Sequence, residues 1–354
     1  MFLAAGLLLS TFVLQDAPVT DTSSRPRLTA LPVVSYSDVT GIQYGATALL
    51  GFRAGSDAST RASSLSGYGS RTAKGHAKVY AQFDRWSQRN DTRRRVRLEY
   101  MSYPLPYFGI GPDSPDTDAE WYSSGVTTVQ LFSEHRLKGP AYVHIGGRYV
   151  RSRLLESEAD GMLGRDDVPG TPGSSRLIWE LGLVIDSRDN VGSPRSGTWA
   201  RVIPSLGGSR PASDLTPRLT VDARRYSPIG EQHVAAIQLQ YDGAGGSMPF
   251  DLMPMIGADT AMRGYARGRF RDQHAFTAQG EFRSGYWRKV GTVGFAGVGT
   301  VAPSFSHFSK GPWYPTVGAG LRYLLVPKDR IVARLDLGIG RGSFGISLGI
   351  GEAF

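Results

Sequence analysis

The chain has 354 residues, 40% of them hydrophobic, with 45 glycines, 21 prolines and no cysteine. Without cysteine there is no disulfide framework, no cysteine-based zinc site, no thiol catalysis and no acylated lipoprotein N-terminus. The formal charge of +9 comes from scattered basic residues, often on one face of alternating segments, as at Arg93, Arg95 and Arg97. Anionic outer-leaflet lipid is therefore a better partner for outer basic loops than nucleic acid, which is not expected.

Residues 1–17 open with an apolar run, Phe2 to Leu14, followed by Gln15-Asp16-Ala17. The run reads as a secretory signal peptide, although no Lys or Arg precedes it and no A-x-A box fixes the cleavage site. Residues 18–27 form a short polar linker on the periplasmic side. From Leu28 onward the dominant pattern is alternation, the period of a strand with two unlike faces. Leu177, Trp179, Leu181, Leu183 and Ile185 alternate with Ile178, Glu180, Gly182, Val184 and Asp186. Ile331, Ala333, Leu335, Leu337 and Ile339 alternate with Val332, Arg334, Asp336 and Gly338. Near the end, Phe344, Ile346, Leu348 and Ile350 alternate with Ser343, Gly345, Ser347 and Gly349. No segment sustains a helical stripe, and no later apolar run approaches the roughly 20 residues of a membrane helix.

Turn signals such as Lys138–Pro140 and Gly230–Glu231 divide the alternation into sixteen strands. They are expected to start at Leu28, Ile42, Ala62, Gly75, Thr92, Glu120, Ala141, Ser175, Thr198, Pro217, Gln232, Gln273, Val290, Thr316, Arg330 and Ser343. The fold class is all-β: a 16-stranded antiparallel transmembrane β-barrel over residues 28–354, bulky side chains to lipid and small or polar ones to the lumen. An even strand count returns the chain to its starting side. With that side periplasmic, the outer connections include the longest, 104–119, 153–174, 243–272 and 302–315, the asymmetry of an outer-membrane barrel.

Enzymatic constellations are poor, so no catalytic residue, cofactor or metal is assigned. The six histidines, at 76, 135, 144, 233, 274 and 307, fall on separate strands and loops without metal-ligand spacing. The acidic loop Gly111 to Asp118 reads as a solvated outer loop rather than a cation site. Gly338-Ile339-Gly340-Arg341-Gly342 spans the final hairpin, where glycine permits the tight turn.

One outer connection carries Met262-Arg263-Gly264-Tyr265. Here the chain resembles the BamA/TamA family of outer-membrane barrels, also called the bacterial surface antigen family, in a form without POTRA domains. The R-G-F/Y motif of that family is matched by Arg263, Gly264 and Tyr265. Further matches are Gly280-Glu281, Gly318-Ala319-Gly320-Leu321-Arg322, the turn Asp186-Ser187-Arg188-Asp189-Asn190 and the terminal Phe354. The resemblance implies a long sixth outer loop folded into the lumen, and Phe354 as the aromatic assembly signal. Family members usually carry F-x-D-x-G in the thirteenth strand, where the acid helps hold the loop arginine; here Gly297 stands in its place.

Charge and parity name a partner for that arginine independently. Glu281 shares parity with Thr277, Gln279 and Arg283 and should face inward. A buried guanidinium needs a carboxylate, and its planar fork suits one bidentately, so Arg263–Glu281 is the expected loop lock. Gly264 lets the tip approach the wall, and Tyr265 fills space with a bonding hydroxyl. A weak lateral seam is expected where the first strand meets the last: Pro32 lacks a backbone N–H, while Gly345 and Gly349 pack little side chain across the junction. The function implied by the resemblance is protein insertion into, or translocation across, the bacterial outer membrane, with a periplasmic partner capturing the client. A passive structural or pore-like barrel, in which a second copy of the chain is a further partner, is the alternative.

Overall fold

The computed structural model describes residues 26–354 except 38–40, 56, 58, 116–118, 166–167, 210–213, 259 and 328–329. The expected signal peptide and most of the linker lie outside the described residues. Strands dominate, and the only helical turns among the described residues are three short 3₁₀ segments. No helix is long and apolar enough to cross a membrane, which says nothing of a crossing by strands.

The strands are β1 (Arg27–Ser37), β2 (Gly41–Phe52), β3 (Ser63–Thr72), β4 (Ala77–Trp86), β5 (Thr92–Tyr107) and β6 (Glu120–Lys138). Next come β7 (Ala141–Glu156), β8 (Ser174–Asp186), β9 (Gly197–Ser209), β10 (Leu215–Ile229), β11 (His233–Ala244) and two short pieces, β12 (Met255–Ile256) and β13 (Phe270–Arg271). Last are β14 (His274–Arg283), β15 (Val290–Ala302), β16 (Tyr314–Val326), β17 (Ile331–Gly340) and β18 (Ser343–Ile350). Strands β1–β11 and β14–β18 form one sheet of sixteen, each strand antiparallel to its chain neighbours. Thr92, Glu120, Ala141, Val290 and Ser343 begin their strands where alternation places them; the largest offsets are two residues, as at Gly75 against Ala77. The pair β12–β13 stands apart, clasping the stretch 257–269 between them.

Burial is inverted relative to a soluble sandwich. Along β8, Leu177, Trp179, Leu181 and Leu183 are 40, 64, 61 and 56% exposed, while Arg176, Glu180 and Asp186 are buried. The same inversion buries Gln43, Thr47, Lys78, Gln82, Asp84, Asp222 and Gln238 on their strands and exposes Val79, Leu98, Ile237 and Leu337. A surface this apolar and this continuous calls for a non-aqueous neighbour.

The polar face curls onto itself. Arg61, ahead of β3, reaches Asp186 at the end of β8 at 2.6 Å, and Arg330 meets Asp189 at 2.6 Å. Arg283 of β14 donates to the main-chain oxygen of Phe354 at 2.8 Å. Among the described residues no ladder joins β1 to β18. Instead of one core, small aromatic nests stud the inner side. Tyr107, Tyr122 and Phe250 pack edge to face at 5.2–6.3 Å, and Phe270 stacks on Tyr314 at 3.8 Å. Both nests include the segment between β11 and β14, and a bridge from Gly111 to Arg271 ties that segment to the β5–β6 loop.

Candidate functional site

The tip of the β11–β14 segment lies against the polar face of β14–β18. Arg263 is 2% exposed, and its guanidinium is shared between two strands. Nη1 donates to Asp336 Oδ2 of β17 at 2.8 Å, and Nη2 lies 2.5 Å from Glu281 Oε1 of β14. The second contact is an ion pair by distance without hydrogen-bond alignment, for neither Nη2 nor Oε1 has a hydrogen-bond partner. The guanidinium carbon sits 3.6 Å from the centre of the Phe295 ring on β15, a cation–π contact in a desolvated place.

Main-chain geometry brings the tip this close. Gly264 has φ +111°, a region that L side chains rarely adopt. A Cβ placed on Gly338 would lie 2.4 Å from the main chain of Arg263, and one on Gly340 2.4 Å from the Tyr265 ring. The tip rests on bare backbone of β17. Its carbonyls are satisfied: Arg263 O accepts from the Thr316 hydroxyl, and Gly264 O from the Ser343 hydroxyl at 2.8 Å. The Tyr265 hydroxyl donates to Pro315 O at 2.9 Å and accepts from the Arg341 N–H at 2.7 Å.

Arg263 belongs to a larger network. Arg283 pairs with Glu281 at 2.9 Å; Arg322 pairs with Asp336 at 2.6 Å and with Glu352 at 2.7 Å; Arg334 reaches Asp336 at 3.2 Å. Four guanidiniums thus interleave with three carboxylates, whose side chains are 0–3% exposed. Buried charges are costly unless paired, and the interleaving supplies the pairing, although Arg263 Nε and Nη2, Arg322 Nη2 and Glu281 Oε1 make no hydrogen bond.

The Omp85 superfamily domain, as a family model, matches residues 54–354. The chain belongs to the Omp85 superfamily. Among solved structures it is similar to BamA from Haemophilus ducreyi lacking POTRA domains 1–3, with TM-score 0.59 and 15% identity, covering 89% of this chain and 66% of that one. It is also similar to CdiB from Acinetobacter baumannii, with TM-score 0.55 and 12% identity, covering 90% of this chain and 56% of that one. At these identities the likeness shows the fold, and the chain spans less than two thirds of either relative. No curated protein matches the sequence.

Within this Omp85 fold, Arg263, Gly264, Tyr265 and Glu281 come together. The expected bidentate fork does not form, because Asp336 takes the other half of the guanidinium. Asp336, Arg322, Glu352 and Phe295 were not assigned to the lock from sequence. The signal for Asp336 was its inward parity in β17. Gly297 leaves the arginine without an acid from β15, and Asp336 meets it from β17. The final hairpin needs glycine in its turn only at Gly342 (φ +69°), while Gly338 and Gly340 lie in β17 and receive the loop.

The three seam residues are differently placed. Pro32 sits inside β1 opposite Ala46 of β2. A Cβ on Gly345 would meet Gly264 Cα at 3.4 Å, and one on Gly349 would meet the Arg334 guanidinium at 2.7 Å. Their small size therefore has a local cause in the loop tip and in Arg334. Phe354 lies beyond β18, buried with Tyr226, Val234 and Ala236. Among the described residues no group of His, Asp and Glu is arranged to hold a metal. His144 instead lies between Glu134 and Glu180, 3.3 Å from each.

Proposed function

We propose that this Omp85 chain closes into a sixteen-stranded barrel in the bacterial outer membrane, holds the 245–273 loop inside its lumen, and assists client proteins into or across that membrane. The observation that carries the reading is the Arg263 lock. Seven charged groups are assembled at a loop tip against five strands, at a desolvation cost that a plain structural sheet has no need to meet. The inverted burial supports the membrane setting, since exposed Leu, Ile and Trp on one face and buried charge on the other suit lipid outside and a polar lumen inside.

In this reading residues 1–17 direct export, residues 18–27 lead into the barrel, and a periplasmic partner captures the client. Phe354 acts as an assembly signal in the unfolded chain, before its ring is buried. The β1–β18 junction is the working edge. Pro32 removes one donor from any ladder there, and β18 has 8 residues against 16 in β5 and 19 in β6. A client strand pairs with the unpaired N–H and C=O groups when that edge opens.

The chain has no native cysteine, so one pair placed across the junction, at Val34 and Ile350, tests this directly. Oxidation is expected to block client insertion into vesicles, and reductant to restore it. Full activity with the junction demonstrably crosslinked would refute lateral opening and leave a passive barrel.

A further inference from the structure

Beside the lock the polar face is hollow. Cavities of about 420 and 280 Å³ lie along the inner side of β5–β11, and a third of about 400 Å³ runs from β9–β11 past the loop to Thr277, Arg334 and Gly349. The 400 and 420 Å³ cavities share Arg201, Thr220 and Asp242 as lining. Seven arginines and three carboxylates line the 420 Å³ cavity. Six of those arginines have a carboxylate within ion-pair distance, Arg93 and Arg95 sharing Asp84, Arg188 with Asp186 at 3.0 Å and Arg224 with Asp222 at 2.7 Å among them.

Arg201 is the exception. Among the described residues it has no acid within ion-pair distance, and its Nε is buried with no hydrogen-bond partner. Its guanidinium sits 5.4 Å from the centre of the Trp199 ring, which Arg224 and Arg188 also approach, at 4.5 and 5.5 Å. Three cations around one indole, one of them unpaired, leave local positive charge beside open volume. A guanidinium fork has the geometry of a carboxylate or phosphate edge, and 420 Å³ is within the range of ordinary ligand sites.

We infer that the open half of the lumen is an oxyanion site, where Arg201 takes a carboxylate or phosphate group beside Trp199, flanked by Arg188 and Arg224. The inference rests on the closed-barrel reading, because only closure makes this face a lumen. It adds to that reading a chemical class for what the lumen accepts.

The test uses the folded full-length barrel in detergent, first shown to shift on a gel after boiling. Pyrophosphate and succinate are titrated separately, followed by calorimetry and by tryptophan fluorescence. A saturable one-to-one response is expected, weakened by salt, with the fluorescence change absent in Trp199→Phe. Arg201→Gln keeps the stem over Trp199 and removes the charge, and should weaken binding about tenfold or more, as loss of a charge-assisted fork does. Arg201→Lys should recover part of it. The tighter probe names the class. A heat-shifted barrel with no saturable response, or with equal affinity in Arg201→Gln, overturns the site alone. A band unmoved by heat brings down the barrel reading and this one with it.

Discussion

The two halves of the inner face use the same chemistry to different ends. Along β14–β18, Arg263 and Arg322 are each 2% exposed, and Glu281 and Asp336 are at 0%. Along β4–β11, Arg148 is 29% exposed, Arg224 22% and Arg218 20%, each beside its own carboxylate. In the first half these four groups are covered, so a charge among them that loses its partner has no water to turn to. In the second the cavities leave room for water, which screens each pair and replaces a lost partner. Equivalent ion pairs drawn on paper should therefore differ severalfold in what their loss costs.

The largest effect should come from Arg263→Ala. It leaves Glu281 and Asp336 facing each other with less compensating charge, at a cost of about 3–5 kcal/mol. The loss is read from the denaturant midpoint of the folded barrel in lipid. Arg263→Ala combined with Glu281→Ala should recover part of it, and strictly additive losses would show that the two are not coupled. Arg148→Ala in the hollow half should lose no more than about 1 kcal/mol. Equal losses at the two positions would erase the distinction between a dry and a wet half.

Packing gives a second contrast. Gly338→Ala puts a methyl 2.4 Å from the main chain of Arg263, so the loop tip has to lift. The expected loss is about 1–3 kcal/mol, the usual cost of overpacking. It should come with faster protease cleavage between 257 and 269. Gly294→Ala on the outward side of β15 meets nothing within 4 Å and should stay within about 0.5 kcal/mol.

These contrasts show what the sequence could and could not reveal. Period two reports which face a side chain takes, so strand starts, inward Glu281 and inward Asp336 were all legible. Parity does not report height along a barrel or which inward residues meet. Arg263 and Asp336 are 73 residues apart and joined only through the loop, so the split guanidinium was not legible. The lone position of Arg201 was hidden for the same reason: its neighbours' partners come from several strands. The glycines of β17 misled in the opposite direction. A glycine-rich run at a hairpin is explained well enough by the turn, and nothing in the sequence says that a loop rests on it.

A buried carboxyl marks the border between the halves. Asp251, in the β11–β14 segment, accepts from the Ser152 hydroxyl of β7 with one oxygen and has no hydrogen-bond partner for the other. Burial pushes its carboxyl above the ordinary 3.8, and the Ser152 hydroxyl and the Arg271 and Arg176 charges offset only part of that. The folded protein therefore keeps this proton to higher pH than the unfolded chain does. Below 3.8 both states are protonated and the site is neutral in its effect. As pH climbs from there through the raised value, the unfolded state ionises first and stability falls, remaining lower above it. Asp251→Asn removes that penalty, so it should stabilise the barrel at neutral pH and lose its advantage in acid. The measurement is the denaturant midpoint of both proteins across that pH range. If the substitution makes no difference at neutral pH, water reaches Asp251, and the dry region ends closer to the lock than the loop does.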